Sequence, residues 1–404
     1  MRAFIEKGVA RGSVTAPASK SICHRLIIAA AMCDGVSRLH GISLCADCLA
    51  TIDCLRALGV DMSLDTDVLT VRGNGFKNAK PKDTLYARES GSTLRFLIPL
   101  ALLSGEKVVF TGAKRLIERP HGVYEEICKE RGLLFERRER EIIVKGPLPY
   151  GDYRLVGNVS SQFITGLLFA LSMTEGNSRI IITTDIESKS YIDLTLEAMR
   201  AFGKTVEWES GNILYVKGGG GYRAREIDVE GDYSGTAFIE AFNLFGGDVR
   251  VSGLNENSIQ GDRIYRDLFP LLNEGTPEIS IKDCPDLGPI LFAVAAAKHG
   301  AVFTDTARLR IKESDRAAVM AEELAKFGAK VTLNENSVII EGNELCAPKE
   351  LLLGHNDHRI VMALSVLLSL FGGEIDGIEA VSKSYEDFFL HLEKLGITVK
   401  TYEA

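Results

Sequence analysis

No stretch of this chain is apolar for the ~20 residues that a membrane-spanning helix needs; FITGLLFALSM (Phe163–Met173) reaches about half of that. Positive charge is not in excess. With 47 Lys and Arg against 55 Asp and Glu the net charge is -8, which excludes a general nucleic-acid footprint. Aromatic residues are few, at 7%. The opening MRAFIEKGVARG has no apolar segment, so no secretory leader is expected. The eight cysteines lie scattered, which predicts reduced thiols in a cytoplasmic chain rather than a disulfide framework. Metal-ligand spacing is scarce too. CADC (Cys45–Cys48) has no second CxxC to answer it and is expected to be ordinary buried residues; the only close histidine pair is in HNDH (His355, His358).

What the chain does have is a repeat. Six apolar runs open on a polar or Gly-containing start, at Ser19, Ser90, Ser160, Tyr233, Asp286 and Asp357, spaced by 71, 70, 73, 53 and 71 residues. Interleaved with them are six amphipathic runs that end near Gly59, Gly132, Gly203, Gly275, Gly328 and Gly396, spaced by 73, 71, 72, 53 and 68. Two independent markers share one period and one short fourth interval, which identifies a repeated unit of roughly βαβαββ. The first helix of each unit is apolar nearly all round and should be buried, while the second should keep a polar face. Six units exceed one core, and the glycine run in VKGGGGYRAREIDVEGD (Val216–Asp232) reads as a crossover. Two three-repeat α/β domains are expected, 14–226 and 1–13 with 227–404, with binding in the cleft between them.

Charge collects at the helix starts. SKSICHR (Ser19–Arg25) places Lys20 and Arg25 on a helix end that already carries partial positive charge, where cations are normally disfavoured. Arg95, Arg316, His358 and Arg359 also stand at or just after helix starts; Lys312 and Lys383 precede second helices, and Arg115 and Arg119 lie in KRLIERPHG. Any one of these could be a solvated surface charge, and the serines of SKS, SGS and SSQ could be plain caps. Their recurrence at matching points of a repeat predicts a seat for a multiply anionic ligand, because helix N-termini and arginines both bind phosphate. Carboxylates stand among them: Asp286, Glu313, Asp315 and Asp357.

The ordered motifs PASKSICHR, SGSTLR, RLIERP, SSQFITGLL, SKSYID, PD, RIKESDR, NDHR and SKSY resemble those of the EPSP synthase family of enolpyruvyl transferases, over about Lys20 to Lys383. The related UDP-N-acetylglucosamine enolpyruvyl transferases share the six-unit plan but carry a loop cysteine that 107–120 lacks here. A third reading is a binding scaffold that kept the fold and lost catalysis; the presence of Lys20, Asp286, Glu313 and Lys383 speaks against it. The resemblance implies a two-domain inside-out α/β barrel and a 3-phosphoshikimate 1-carboxyvinyltransferase activity of the shikimate pathway. In that reaction the enolpyruvyl group of phosphoenolpyruvate passes to the 5-hydroxyl of shikimate 3-phosphate by addition and elimination. It further implies two small-molecule substrates, no cofactor, no metal, no nucleic acid, no membrane, a monomer, and inhibition by glyphosate competing with phosphoenolpyruvate. By resemblance, Lys20, Asp286, Glu313 and Lys383 are catalytic. Lys20, Gly91, Arg115, Gln162, Arg316, His358, Arg359 and Lys383 surround phosphoenolpyruvate. Ser21, Arg25, Ser160, Ser161, Gln162, Ser188, Tyr191, Asp286, Arg308 and Lys312 hold shikimate 3-phosphate. Glu89 and Arg308 depart from the asparagines common in the family.

Overall fold

The structure, a computed structural model, describes residues 1–76, 81 and 83–403. It divides into two compact lobes. The first is Ala18–Glu230 and the second is Met1–Pro17 with Gly231–Ala404. Each carries its own hydrophobic core.

The first lobe is built on three buried helices, Lys20–Ala31, Gly91–Leu102 and Ser161–Met173, which start at the expected serines. Their apolar sides leave almost nothing for solvent: Leu94 through Leu102 is buried without interruption. Pro99 sits inside the middle helix and cannot donate to the carbonyl of Arg95. The Tyr124 hydroxyl fills that vacancy, 2.7 Å from Arg95 O and 3.1 Å from Phe163 O. Gly166 lets the third helix come this close, since a Cβ there would stand 2.4 Å from both Arg95 O and Tyr124 Oη. One proline, one hydroxyl and one glycine thereby lock two helices together.

The second helices of these repeats are Ala46–Ala57, Gly122–Arg131 and Lys189–Ala201. The polar face expected of them is present on the latter two. Ala46–Ala57 differs: in ADCLATIDCLRA only Asp53 and Arg56 are exposed, because the sequence offers few other charges. Cys45 and Cys48 at its start are buried, in keeping with the ordinary role expected of CADC.

Each first-lobe sheet has four strands in one pattern: a parallel pair, then an antiparallel hairpin. The orders are 226–228, 34–40, 68–74, 61–65; then 85–86, 107–111, 141–145, 134–137; then 152–155, 178–182, 213–216, 207–210. In the second lobe the strands 278–280, 300–304, 337–341 and 330–333 repeat it. A further sheet, 352–353, 373–376, 2–5 and 399–402, repeats it with the N-terminal strand Arg2–Ile5 inserted next to last. The remaining sheet has only the parallel pair, Arg11–Thr15 with Asp248–Ser252. Its repeat goes from the helix Tyr265–Glu274 straight to the strand Glu278–Ser280, with no hairpin between. That missing hairpin is the physical content of the 53-residue interval.

The lobe borders lie at 17/18 and 230/231, later than the expected 14 and 227. Borders at the expected positions would cut the strands Arg11–Thr15 and Glu226–Asp228, each of which is hydrogen-bonded within one lobe. The glycine run also falls inside the first lobe rather than at the crossing. Gly219, Gly220 and Gly221 have positive φ, and the Lys204 amine ties the run down through Gly218 O (3.1 Å) and Gly220 O (2.7 Å). The second lobe's buried helices are Tyr233–Glu240, Gly288–Ala297 and His358–Phe371; its outer ones are Tyr265–Glu274, Arg316–Ala325 and Phe388–Lys394.

Candidate active site

In the first lobe, three helix starts carry the polar groups. Lys20, the first residue of its helix, places its amine 3.2 Å from Asp47 Oδ2, and both side chains are nearly buried. Burying two charges is tolerable only when they meet. Behind them runs a buried chain of hydroxyls. His24 Nδ1 is 2.7 Å from Thr51 Oγ1, which is 2.7 Å from Thr93 Oγ1, which is 2.8 Å from Ser90 Oγ. The chain ties the first turns of Lys20–Ala31 and Gly91–Leu102 to the middle of Ala46–Ala57. Burial, reinforced by Lys20 and Arg25, pushes His24 well below the usual histidine range, so its ring is neutral.

At the second tip, a Cβ on Gly91 would come within 2.7 Å of Arg119 Nη1. The missing side chain is what admits the buried Arg119 guanidinium to the helix start. Arg95, one turn on, donates to Gln162 Oε1 at 2.8 Å and Pro120 O at 3.1 Å, and lies 4.8 Å over the Phe163 ring. Gln162 Nε2 donates to Ser92 Oγ at 2.9 Å, so Gln162 is oriented from both ends. At the third tip Ser160 caps Gln162 N at 3.3 Å and Ser161 is buried beside it.

Arg25 is buried and bound to protein. Its Nε donates to Thr195 Oγ1 (2.9 Å), Nη1 to Ser21 O (2.6 Å) and Nη2 to Tyr191 O (2.9 Å); burial lowers its pKa to about 10. It ties SKS of the first repeat to the start of the helix Lys189–Ala201, beside the buried Ser188, whose φ of 55 is left-handed. The structure thus brings together Ser21, Arg25, Ser188 and Tyr191, and separately Gly91, Gln162, Ser160 and Ser161.

Arg115 does not join them. It is exposed on the short helix Lys114–Glu118, whereas Arg119 is buried against Gly91. Of the two arginines, only Arg119 is placed at a helix start. The signal was present in the sequence: Arg119 precedes Pro120, whose carbonyl is gripped by Arg95.

The second lobe centres on Arg316, 1% exposed. Its Nε donates to Asp357 Oδ2 (2.9 Å), Nη1 to Asp286 Oδ1 (2.8 Å), and Nη2 to Glu313 Oε2 (2.9 Å) and Asp357 Oδ1 (3.3 Å). Burial alone would weaken its charge, but Asp357, Glu313 and Asp286 outweigh that and hold its pKa well above the usual arginine value. Arg316 organises the carboxylates more than it offers free donors.

Asp286 also accepts from Lys312 Nζ at 3.1 Å and lies 3.8 Å from Arg359 Nη2. Burial lowers the Lys312 pKa, and Arg316 and Arg308 add to the effect against the pull of Asp286 and Glu313. Asp357 caps the helix His358–Phe371 through Arg359 N (3.0 Å) and accepts from Ser314 Oγ (3.0 Å). Lys383 Nζ donates to Asn356 O (2.6 Å) and Oδ1 (2.7 Å). His358 is buried, with Nδ1 3.9 Å from Asp357 Oδ1, and Arg308 is buried in the short turn Ala307–Ile311.

Arg359 stands apart. It is 2% exposed, its guanidinium lies 5.5 Å from the Phe238 ring, and Nε and Nη1 are buried without a hydrogen-bond partner. Buried donors are nearly always satisfied, and a guanidinium suits a bidentate anion, so these two donors set Arg359 apart from its neighbours. Asp47 and Asn356 are the neighbours that sequence reasoning did not single out; Arg119 and Asp357 stood among its charged helix-start residues but not among the ligand residues that the resemblance implied.

In both lobes, repeated α/β units gather cations and carboxylates at buried helix starts. The family described as EPSP synthase (3-phosphoshikimate 1-carboxyvinyltransferase) matches residues 6–269 and 268–392. The chain is 39% identical to the 3-phosphoshikimate 1-carboxyvinyltransferase of Clostridium kluyveri, with 95% of each chain covered. It is 37% identical to that of Clostridioides difficile, again over 95% of each. Among solved structures, EPSP synthase from Acinetobacter baumannii superposes with a TM-score of 0.80 at 25% identity, covering 99% of this chain and 100% of the other. The chain belongs to the EPSP synthase family.

Proposed function

We propose that the helix-start residues of the two lobes jointly carry out the reaction of that family, with each lobe supplying part of one ligand set. The activity follows from family membership: transfer of the enolpyruvyl group of phosphoenolpyruvate to the 5-hydroxyl of shikimate 3-phosphate, with release of phosphate. The observation that carries the residue assignment is Arg359, a buried guanidinium with two unmet donors beside a carboxylate network.

Arg359, His358, Arg316 and Lys383 from the second lobe, with Lys20, Arg119, Gln162 and the open space at Gly91 from the first, are assigned to phosphoenolpyruvate. Arg25, Ser21, Ser160, Ser161, Ser188 and Tyr191, with Gln162, Asp286, Arg308 and Lys312, are assigned to shikimate 3-phosphate. Arg25 acts chiefly by holding the Ser21 and Tyr191 backbone in place.

The chemistry needs an acid at the phosphoenolpyruvate methylene, a base at the 5-hydroxyl and cations on the phosphate. Glu313 lies as an acceptor on Arg316, so the donor role falls to Lys383, whose amine is aimed by two Asn356 oxygens. Protonation of the methylene makes the adjacent carbon electrophilic, and the hydroxyl attacks it while Asp286 takes the hydroxyl proton. The Lys383 amine, neutral after donating, then takes back a methyl proton as phosphate leaves, which restores the vinyl group. We assign the chain to the cytoplasm as a monomer acting on small molecules; among the described residues no helix is long and apolar enough to cross a membrane.

A phosphate-release assay tests this reading. Release with phosphoenolpyruvate plus shikimate 3-phosphate, and none with UDP-N-acetylglucosamine, is expected. Release only with the nucleotide sugar, or with neither, contradicts it.

A further inference from the structure

The turn that carries Asn356 is held by a device outside the site itself. Glu323 is fully buried in the last turns of the helix Arg316–Ala325. Its carboxylate accepts from Lys326 Nζ (2.9 Å to each oxygen), from Leu353 N at Oε2 (3.0 Å), and stands 2.9 Å from His355 Nε2 at Oε1. Lys326 also donates to Leu351 O at 3.0 Å. His355 and Asn356 are consecutive left-handed residues, with φ of 47 and 53. Such a pair is costly and persists only where its surroundings impose it. The same helix grips the following residue from its other end, where Arg316 binds Asp357. Asn356 stands between the two grips, and both of its oxygens receive the Lys383 amine.

We propose that Glu323 and His355 are positioning residues for Lys383: they impose the left-handed turn that presents Asn356 to its amine. The consequence for catalysis rests on the role assigned to Lys383 above; the consequence for the lysine's geometry does not.

The test uses the full-length protein. His355→Asn keeps a residue that tolerates the left-handed backbone but removes the bond to Glu323. Glu323→Gln is the second variant, and its melting temperature is checked because Lys326 loses its counter-charge. The primary readout is the rate of acylation of Lys383 by an amine-reactive ester, followed by peptide mass spectrometry and referenced to the exposed Lys189. A several-fold rise in either folded variant is expected. With it, kcat/KM for phosphoenolpyruvate should fall ~10- to 100-fold, as for a displaced catalytic group, while the dissociation constant of shikimate 3-phosphate stays put. In a Lys383→Met background, His355→Asn should cost nothing more. An unchanged acylation rate in His355→Asn, or a cost that adds in full to that of Lys383→Met, overturns the proposal. Wild-type turnover in Lys383→Met alone would instead remove Lys383 from the reaction, and the acylation rate would still decide whether the bracket holds it.

Discussion

Gly91 and Arg119 show how a site can depend on an atom that is missing. A methyl group at Gly91 would stand 2.7 Å from Arg119 Nη1, so the guanidinium would have to move. Gly91→Ala should therefore raise KM for phosphoenolpyruvate about tenfold, with KM for shikimate 3-phosphate nearly unchanged, in steady-state kinetics. The same substitution should weaken competition by glyphosate against phosphoenolpyruvate. The two arginines of this segment make a paired experiment. Arg119→Ala should lower kcat/KM for phosphoenolpyruvate by ~100-fold, the scale of one charged hydrogen-bonded contact. Arg115→Ala, on the exposed face, should leave it within about twofold. Equal effects would contradict the assignment. Sequence alone did not separate these two because both lie in one basic segment, and which one turns inward depends on what Gly91 leaves open. Asp47 escaped for a similar reason. It lies inside CADC, a stretch expected to be ordinary buried residues, and only folding shows its carboxylate meeting Lys20.

Helices were the most legible elements. All six buried ones start within two residues of the marked positions, because an apolar run behind a capping residue leaves little choice of conformation. What joins them was not legible, since the bond from Tyr124 into the gap left by Pro99 spans residues far apart in the chain. Tyr124→Phe should cost about 1–2 kcal/mol in denaturant unfolding, the cost of leaving a buried carbonyl unpaired. The hydroxyl chain behind Lys20 predicts a pH dependence. His24 is neutral in the fold because burial lowers its pKa well below 6.5, and burial likewise lowers His121 to about 3. The unfolded chain binds those protons below about pH 6.5, so unfolding takes up protons and stability falls as the pH drops. Each group contributes a slope of up to ~1.4 kcal/mol per pH unit between the unfolded and folded pKa values. His24→Gln should flatten the stability profile below about pH 6.5; an unchanged slope would mean that the ring is charged in the fold.

At the scale of the whole molecule, the period of the sequence carried the architecture. Among the described residues the 53-residue interval marks the repeat without a hairpin, and the strand Arg2–Ile5 completes a sheet whose other members lie between Leu352 and Tyr402. No period could reveal that closure, which pairs the two ends of the chain. Nor could it show that Arg316 is paired with Asp286, Glu313 and Asp357 while Arg359 keeps unmet donors; that division depends on which guanidinium the carboxylates reach in the fold. Across both lobes the proposed chemistry is protonation of the phosphoenolpyruvate methylene, attack by the 5-hydroxyl, and departure of phosphate. Turnover in deuterium oxide with both substrates, with the product followed by mass spectrometry and proton NMR, tests it most directly. A methyl-bearing intermediate exchanges hydrogen with solvent, so deuterium should appear in the product's vinyl group. A product formed at full rate with no deuterium in that group would contradict the mechanism.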